Sequence, residues 1–355
     1  MGNRFPSFAL VVLAIWDIDP GESVKKTAFN ASASVVPVDQ SRWTGWLVTG
    51  MILCVASLCV VGLFWETVRS MIEAWAGSRT FAHGFLVLPA TGYLIWCYRY
   101  RWMLLEPAPT LWGVGALILP GSIWFVGYVT DMMWLQQAAV VAMLPGLIWA
   151  LLGNEIVKTL SWPLGFLAFM LPVGTSIEPW LVDFTAWFAQ VGLQLTNIPY
   201  LYDNHRIVIT TGTWEVARDC GGLRYLFPGL ALGYAFATLV YRQPVRRLVF
   251  LALCAMVLMV ANGIRAYGVI VGDHFGIADG TDHRVFSYTI YGVMMPLLLW
   301  FGLRWQENMT LTSFQDRMLD LRHGVDARKT ILMAIAGVAV LALAPLSVWL
   351  WVGPR

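Results

Sequence analysis

Residues 242–271 read RQPVRRLVFLALCAMVLMVANGIRAYGVIV. Three arginines crowd the first six positions, and an apolar run follows that meets no polar side chain until Asn262 and no charge until Arg265. A helix needs about 20 mainly apolar residues to cross the hydrocarbon core of a bilayer, and 248–271 supplies them. The rest of the chain is of the same character: of 355 residues 58% are hydrophobic, 12% are charged and 19 are Trp, with a mean hydropathy of +0.66. Soluble domains carry roughly a quarter charged residues, and half that share cannot cover a water-facing surface. A soluble enzyme and a disordered chain are both excluded. Lys and Arg total 23 against 21 Asp and Glu, and no clustered basic face calls for a nucleic-acid partner.

Cut at its charges and Pro/Gly clusters, the chain offers further spans near 46–65, 81–98, 111–130, 132–152, 160–174, 220–241, 284–303 and 331–352. The fold class expected is an all-α polytopic membrane protein, a bundle of about 8–10 transmembrane helices. Segment 180–197 differs: Asp183, Gln190, Gln194 and Asn197 form a polar stripe on an otherwise Trp- and Leu-rich helix, suited to packing against partners or lying in the interface. Short loops rich in Lys and Arg stay cytoplasmic, so Arg242, Arg246 and Arg247 orient the bundle, with Arg99, Arg101, Arg328 and Lys329 agreeing. The outer face then receives 66–80, 200–219 and 272–283 as loops, and the alternation closes if 160–197 crosses the membrane once. Three regions are expected: a tail at 1–45, a multi-pass domain at 46–305, and a polar linker with a last helix at 306–355.

Chemistry concentrates on the outer side. In RIVITTGTWEVARDCGGLRY, residues 206–225, Ile207–Ile209 and Trp214–Ala217 flank Thr-Gly-Thr and predict a small β-hairpin before the next helix. That hairpin delivers Cys220 to a helix start, where free N–H groups favour a thiolate and Gly221 and Gly222 admit close backbone approach. A lone cysteine at a crowded helix start is more often just a small buried residue. Arg265 lies inside an apolar window at a cost on the order of 3 kcal/mol, with Asn262 three residues earlier on the same face. Snorkelling to the headgroups competes with a role in holding an oxyanion or carboxylate. His283 begins the following helix and suits proton transfer, with His274 as the rival. Nucleophile, base and cation on one side of the membrane make the set expected for cysteine acyl transfer. The five cysteines form no C-x-x-C pair and no metal-like spacing with the five histidines, so no metal or other cofactor is expected.

At EVARDCGGLRYL (215–226), NGIRAY (262–267) and Asp282-His283 leading into Tyr291-Gly292, the chain resembles the exosortase family of membrane cysteine peptidases or transpeptidases. FAHGFLVLP at 81–89 is similar to the family's upstream His-Gly motif. The resemblance implies Cys220 as nucleophile, Arg265 as stabilising cation and His283 as acid/base, with Arg218, Asn262 and His83 around the substrate. It also implies the partners: exported proteins with a C-terminal Pro-Glu-Pro (PEP-CTERM) signal, membrane lipids, and water or a lipid-linked glycan as acceptor, in a bacterial inner membrane and linked to exopolysaccharide. Two positions depart from the family pattern, Gly221 where Ser is frequent and Ser287-Tyr288 where Gly-Trp is frequent. Two rivals carry distinct expectations. A transporter or flippase would line a path with Arg265, Asp183 and the 180–197 stripe, and a noncatalytic export scaffold would tolerate change at all three reactive positions.

Overall fold

A computed structural model describes residues 40–174, 176–203, 205–216, 221–276, 283–305 and 327–352, except the side chains of 40–43, 283–286, 288, 327 and 349–352. Everything below belongs to the compact unit 42–355, apart from the first two residues of α1. Its helices are α1 (Gln40–Leu63), α2 (Trp65–Gly77), α3 (Gly84–Cys97), the single turn α4 (Arg99–Trp102), α5 (Leu111–Val129), α6 (Met133–Leu152) and α7 (Asn154–Gly165). A 3-10 turn at Phe166–Met170 extends α7, and α8 (Glu178–Leu195) follows. After the strands β1 (Tyr200–Asp203), β2 (Arg206–Ile209) and β3 (Gly212–Glu215) come α9 (Leu223–Val240), α10 (Pro244–His274), α11 (His283–Arg304) and α12 (Ala327–Val352).

Six of these helices are long and apolar enough to cross a membrane, and Gly84–Cys97 and Thr289–Arg304 are shorter apolar helices. The bundle is an all-α polytopic membrane protein with one small sheet. Its surface agrees: Leu86, Leu111, Trp112 and Leu119 are all more than 60% exposed, which water does not tolerate over so much area but acyl chains do. Prolines sit inside α3, α5, α6, α9, α11 and α12, as transmembrane helices allow when neighbours satisfy the freed carbonyls. At 31 residues, α10 is about 46 Å long.

Two of the packing centres each join several helices. In one, Val60 and Phe64 from α1, Leu117 from α5, Met143 and Leu147 from α6, and Leu341 from α12 are all nearly inaccessible. In the other, α9, α10 and α11 meet through Phe236, Phe250, Cys254 and Leu298. Between α8 and the sheet, Val182, Ala186, Ala189 and Leu193 meet Ile207, Ile209 and Ile270. Their three- and four-residue spacing on α8 and two-residue spacing on β2 are what bury one face of each.

Two expectations are corrected, and the expected hairpin is present as β2 and β3 with one more strand beside it. The stretch 66–80, read as an outer loop, is mostly the helix Trp65–Gly77, whose Thr67, Met71 and Trp75 are buried at four-residue intervals. The hairpin belongs to a three-stranded antiparallel sheet in the order β1-β2-β3, with Tyr200 opposite Ile209 and Ile207 opposite Trp214. Its last strand ends at Glu215, two residues before the expected limit. The span near 160–174 begins at Asn154 and turns 3-10 at Phe166–Met170.

Candidate functional site

Where α8, α10 and α11 meet the start of α9, a buried polar network surrounds Arg265. Its Nε donates to the Ser287 hydroxyl at 2.6 Å, and its Nη1 makes a long 3.5 Å contact with Asn262 Oδ1. Asn262 Oδ1 also accepts from the Tyr291 hydroxyl at 3.2 Å, while Asn262 Nδ2 donates to Thr185 Oγ1 at 2.9 Å. The Thr185 hydroxyl in turn donates to the Leu181 carbonyl at 2.7 Å. Asn262, Thr185 and Ser287 are each at most 2% exposed, so every bond in this relay has at least one partner out of water, where an unmade bond costs most.

Helix periodicity explains the convergence. Asn262 and Arg265, three apart, share a face of α10. Positions 283, 287 and 291 share a face of α11 at four-residue intervals, so His283, its first residue, lies one turn from the Ser287 that holds Arg265. The close approach of α10 and α8 needs Gly263, because a Cβ there would enter the Phe188 ring.

Gly222 ties α9 to the same cluster. It is the N-cap of α9 with φ +83, a conformation glycine adopts without steric cost, and a Cβ on it would come within 2.5–2.9 Å of the Asn262 amide. The chain two residues beyond Cys220 is therefore pressed onto Asn262. Tyr225, one turn on, stacks on Tyr291 with ring centres 4.1 Å apart and lies 5.8 Å below the Arg265 guanidinium. Arg265 has no carboxylate partner among the described residues, and its Nη2 makes no hydrogen bond there. Such a cation suits an anionic group supplied from outside the chain.

Of the residues singled out in the sequence, Arg265 and Asn262 come together. Cys220 and Arg218 lie outside the described residues, as does the His283 side chain. His83 is the N-cap of α3, with the Thr80 carbonyl 3.1 Å from Nδ1 and its ring stacked on Phe227 of α9. Burial pushes its pKa below the ordinary 6.5, partly offset by the Thr80 and Phe169 carbonyls. It joins none of the hydrogen bonds around Arg265. Asp183 pairs instead with His205 at 2.7 Å, and Gln194 donates to the Tyr200 hydroxyl, so these two stripe residues serve the sheet rather than a path past Arg265. Thr185 had no sequence signal of its own, Tyr225 entered only within the 215–226 motif, and Ser287 was visible only as a departure from a family pattern. No group of His, Cys, Asp and Glu among the described residues could hold a metal.

A model of the transmembrane exosortase family matches residues 75–300. The chain belongs to that family. The exosortase match runs from the end of α2 to α11 and so includes Gly222, Asn262, Arg265 and Ser287. Neither the curated proteins nor the solved structures yielded a match to this exosortase.

Proposed function

We propose that this chain is a membrane cysteine peptidase or transpeptidase acting on exported proteins that carry a Pro-Glu-Pro segment before a C-terminal membrane helix. The Cys220 thiolate attacks the scissile carbonyl carbon; Arg265 holds the developing oxyanion or the motif's glutamate, with Arg218 as a second cation. His283 takes the thiol proton and returns it to the leaving amine, so the tail departs and a thioester remains. Water resolves the thioester to a carboxylic acid, or an amine on a lipid-linked glycan resolves it to an amide. By the loop arginines the site faces the outer side of the cytoplasmic membrane.

The observation that carries this reading is the contact of Gly222 with Asn262. It holds the segment after Cys220 against the Arg265 cluster, while Ser287 anchors Arg265 one turn from His283. The test is the electrophoretic mobility of a tagged Pro-Glu-Pro-tailed protein in cells carrying wild type, Cys220→Ala, Arg265→Ala or His283→Ala at matched membrane levels. The mature form is expected with wild type alone. Processing by Cys220→Ala overturns the nucleophile, and the transporter or scaffold reading replaces it.

A further inference from the structure

At the other end of α9 and α10 a second arginine cluster converges on Tyr98. Arg247, 4% exposed, donates from Nε to the Tyr241 carbonyl at 2.8 Å and from Nη2 to the Tyr98 hydroxyl at 2.9 Å and the Thr238 carbonyl at 3.4 Å. Its guanidinium lies 4.7 Å from the Trp162 ring. Tyr98 bonds the Thr238 carbonyl at 2.8 Å and carries the Arg101 guanidinium over its ring at 5.1 Å. Arg99 is held beside them by the Trp96 carbonyl, the Tyr100 hydroxyl and both of those rings.

All of these partners are neutral. Among the described residues Arg99, Arg101 and Arg247 make no ion pair, and Arg101 makes no hydrogen bond. Glu155, on the neighbouring α7, is paired with Lys158 at 2.9 Å. Burial holds the Arg101 pKa below its ordinary value; Tyr98 opposes the shift, and the positive charges of Arg242 and Arg247 add to it. A half-buried guanidinium repelled by its neighbours, with only the Tyr98 ring as partner among the described residues, suits an anion. The place says which anion: α3 and α9 end here and α10 begins, and Tyr93, Trp96 and Tyr100 stand more than half exposed around the cluster, as aromatics do at a headgroup boundary.

We propose that Arg101 and Arg99, backed by Arg247 through Tyr98, bind the phosphodiester of one anionic phospholipid whose acyl chains lie along α3. The headgroup phosphate accepts from Arg101 and neutralises the cluster, and the exposed aromatics flank its glycerol backbone. This site is independent of the processing reaction.

The full chain in mild detergent, titrated with phosphatidylglycerol or phosphatidylcholine and read by native mass spectrometry, tests it. One retained phosphatidylglycerol with at least tenfold preference over phosphatidylcholine is expected. Arg101→Gln should weaken it at least fivefold, whereas Arg79→Gln, a cation at the opposite end of α3, should leave it unchanged. Arg99→Gln, which leaves the Tyr98 cluster whole, should give a loss of at least twofold even if Arg101→Gln fails to fold. Equal binding of the two lipids, or equal binding by wild type and Arg99→Gln, overturns the site. So does displacement by millimolar glycerol phosphate, which carries the headgroup anion without acyl chains.

Discussion

Helix α10 carries two inward-facing arginines, Arg247 near its start and Arg265 eighteen residues on, and the chain treats them differently. Both are held by neutral acceptors. Arg247 is sealed, bonded to the backbone carbonyls of Tyr241 and Thr238 and to one phenol. Arg265 is only partly buried and is bonded to side chains, Ser287 and Asn262. Backbone acceptors belong to the helices and cannot turn away, so Arg247 pins the ends of α9 and α10 together. Side-chain acceptors can rotate, so Arg265 is oriented without being consumed. The lesson is that what a buried cation bonds, together with how deep it lies, decides whether it is structural or available.

The sharpest way to break the comparison is to remove each arginine. Arg247→Ala removes the charged bonds to the Tyr241 carbonyl and the Tyr98 hydroxyl and should cost about 2–4 kcal/mol, seen as loss of the folded species when the purified chain is heated in detergent. Arg265→Ala should stay within about 1 kcal/mol of wild type while processing of the tailed substrate falls more than 100-fold. If both variants unfold alike, the distinction is wrong. Gly222→Ala comes next: a Cβ at φ +83 that also enters Asn262 should cost about 1–3 kcal/mol and abolish processing, with an unchanged melting midpoint counting against the contact.

Ser287→Ala should be milder. Without its hydroxyl Arg265 Nε loses its shortest bond, so kcat should drop about tenfold, or roughly 1.4 kcal/mol of transition-state stabilisation, with KM little changed and Ser287→Thr restoring most of the rate. An equal fall in thermal stability would mark Ser287 as packing only. The smallest effect concerns His83. Its folded pKa lies below 6.5, so the unfolded chain takes the proton first and stability declines as pH falls from about 6.5 toward the folded value. His83→Gln should flatten that decline in pH-dependent melting, and a slope unchanged by the substitution would assign it elsewhere.

Much of the fold could be read from apolar runs alone. The window 111–130 is Leu111–Val129, and 132–152 is Met133–Leu152. What escaped was polar enough to interrupt a run: Glu66, Arg69 and Glu73 hide α2, although Thr67, Met71 and Trp75 mark its buried face. Strand β1 escaped because its burial pattern lacks alternation; pairing with β2, not its own sequence, defines it. At the site, Arg265 and Asn262 were legible because a charge within an apolar helix is costly and three-residue spacing aligns them. Thr185 was not, since one hydroxyl can bond its own helix backbone without any partner, and only the tertiary fold brings Asn262 to it.

The length of α10 makes it a ruler. Its two arginines are separated by about 27 Å along the axis, slightly less than the hydrocarbon thickness of about 30 Å of a typical bilayer. With Arg247 pinned at one boundary, a thicker membrane draws Arg265 below the opposite headgroups and a thinner one lifts it clear. Tilt cannot restore the match in thick lipid, because tilting shortens the projected span. Acyl-chain length thus sets how far Arg265 and the polar network around it lie from water.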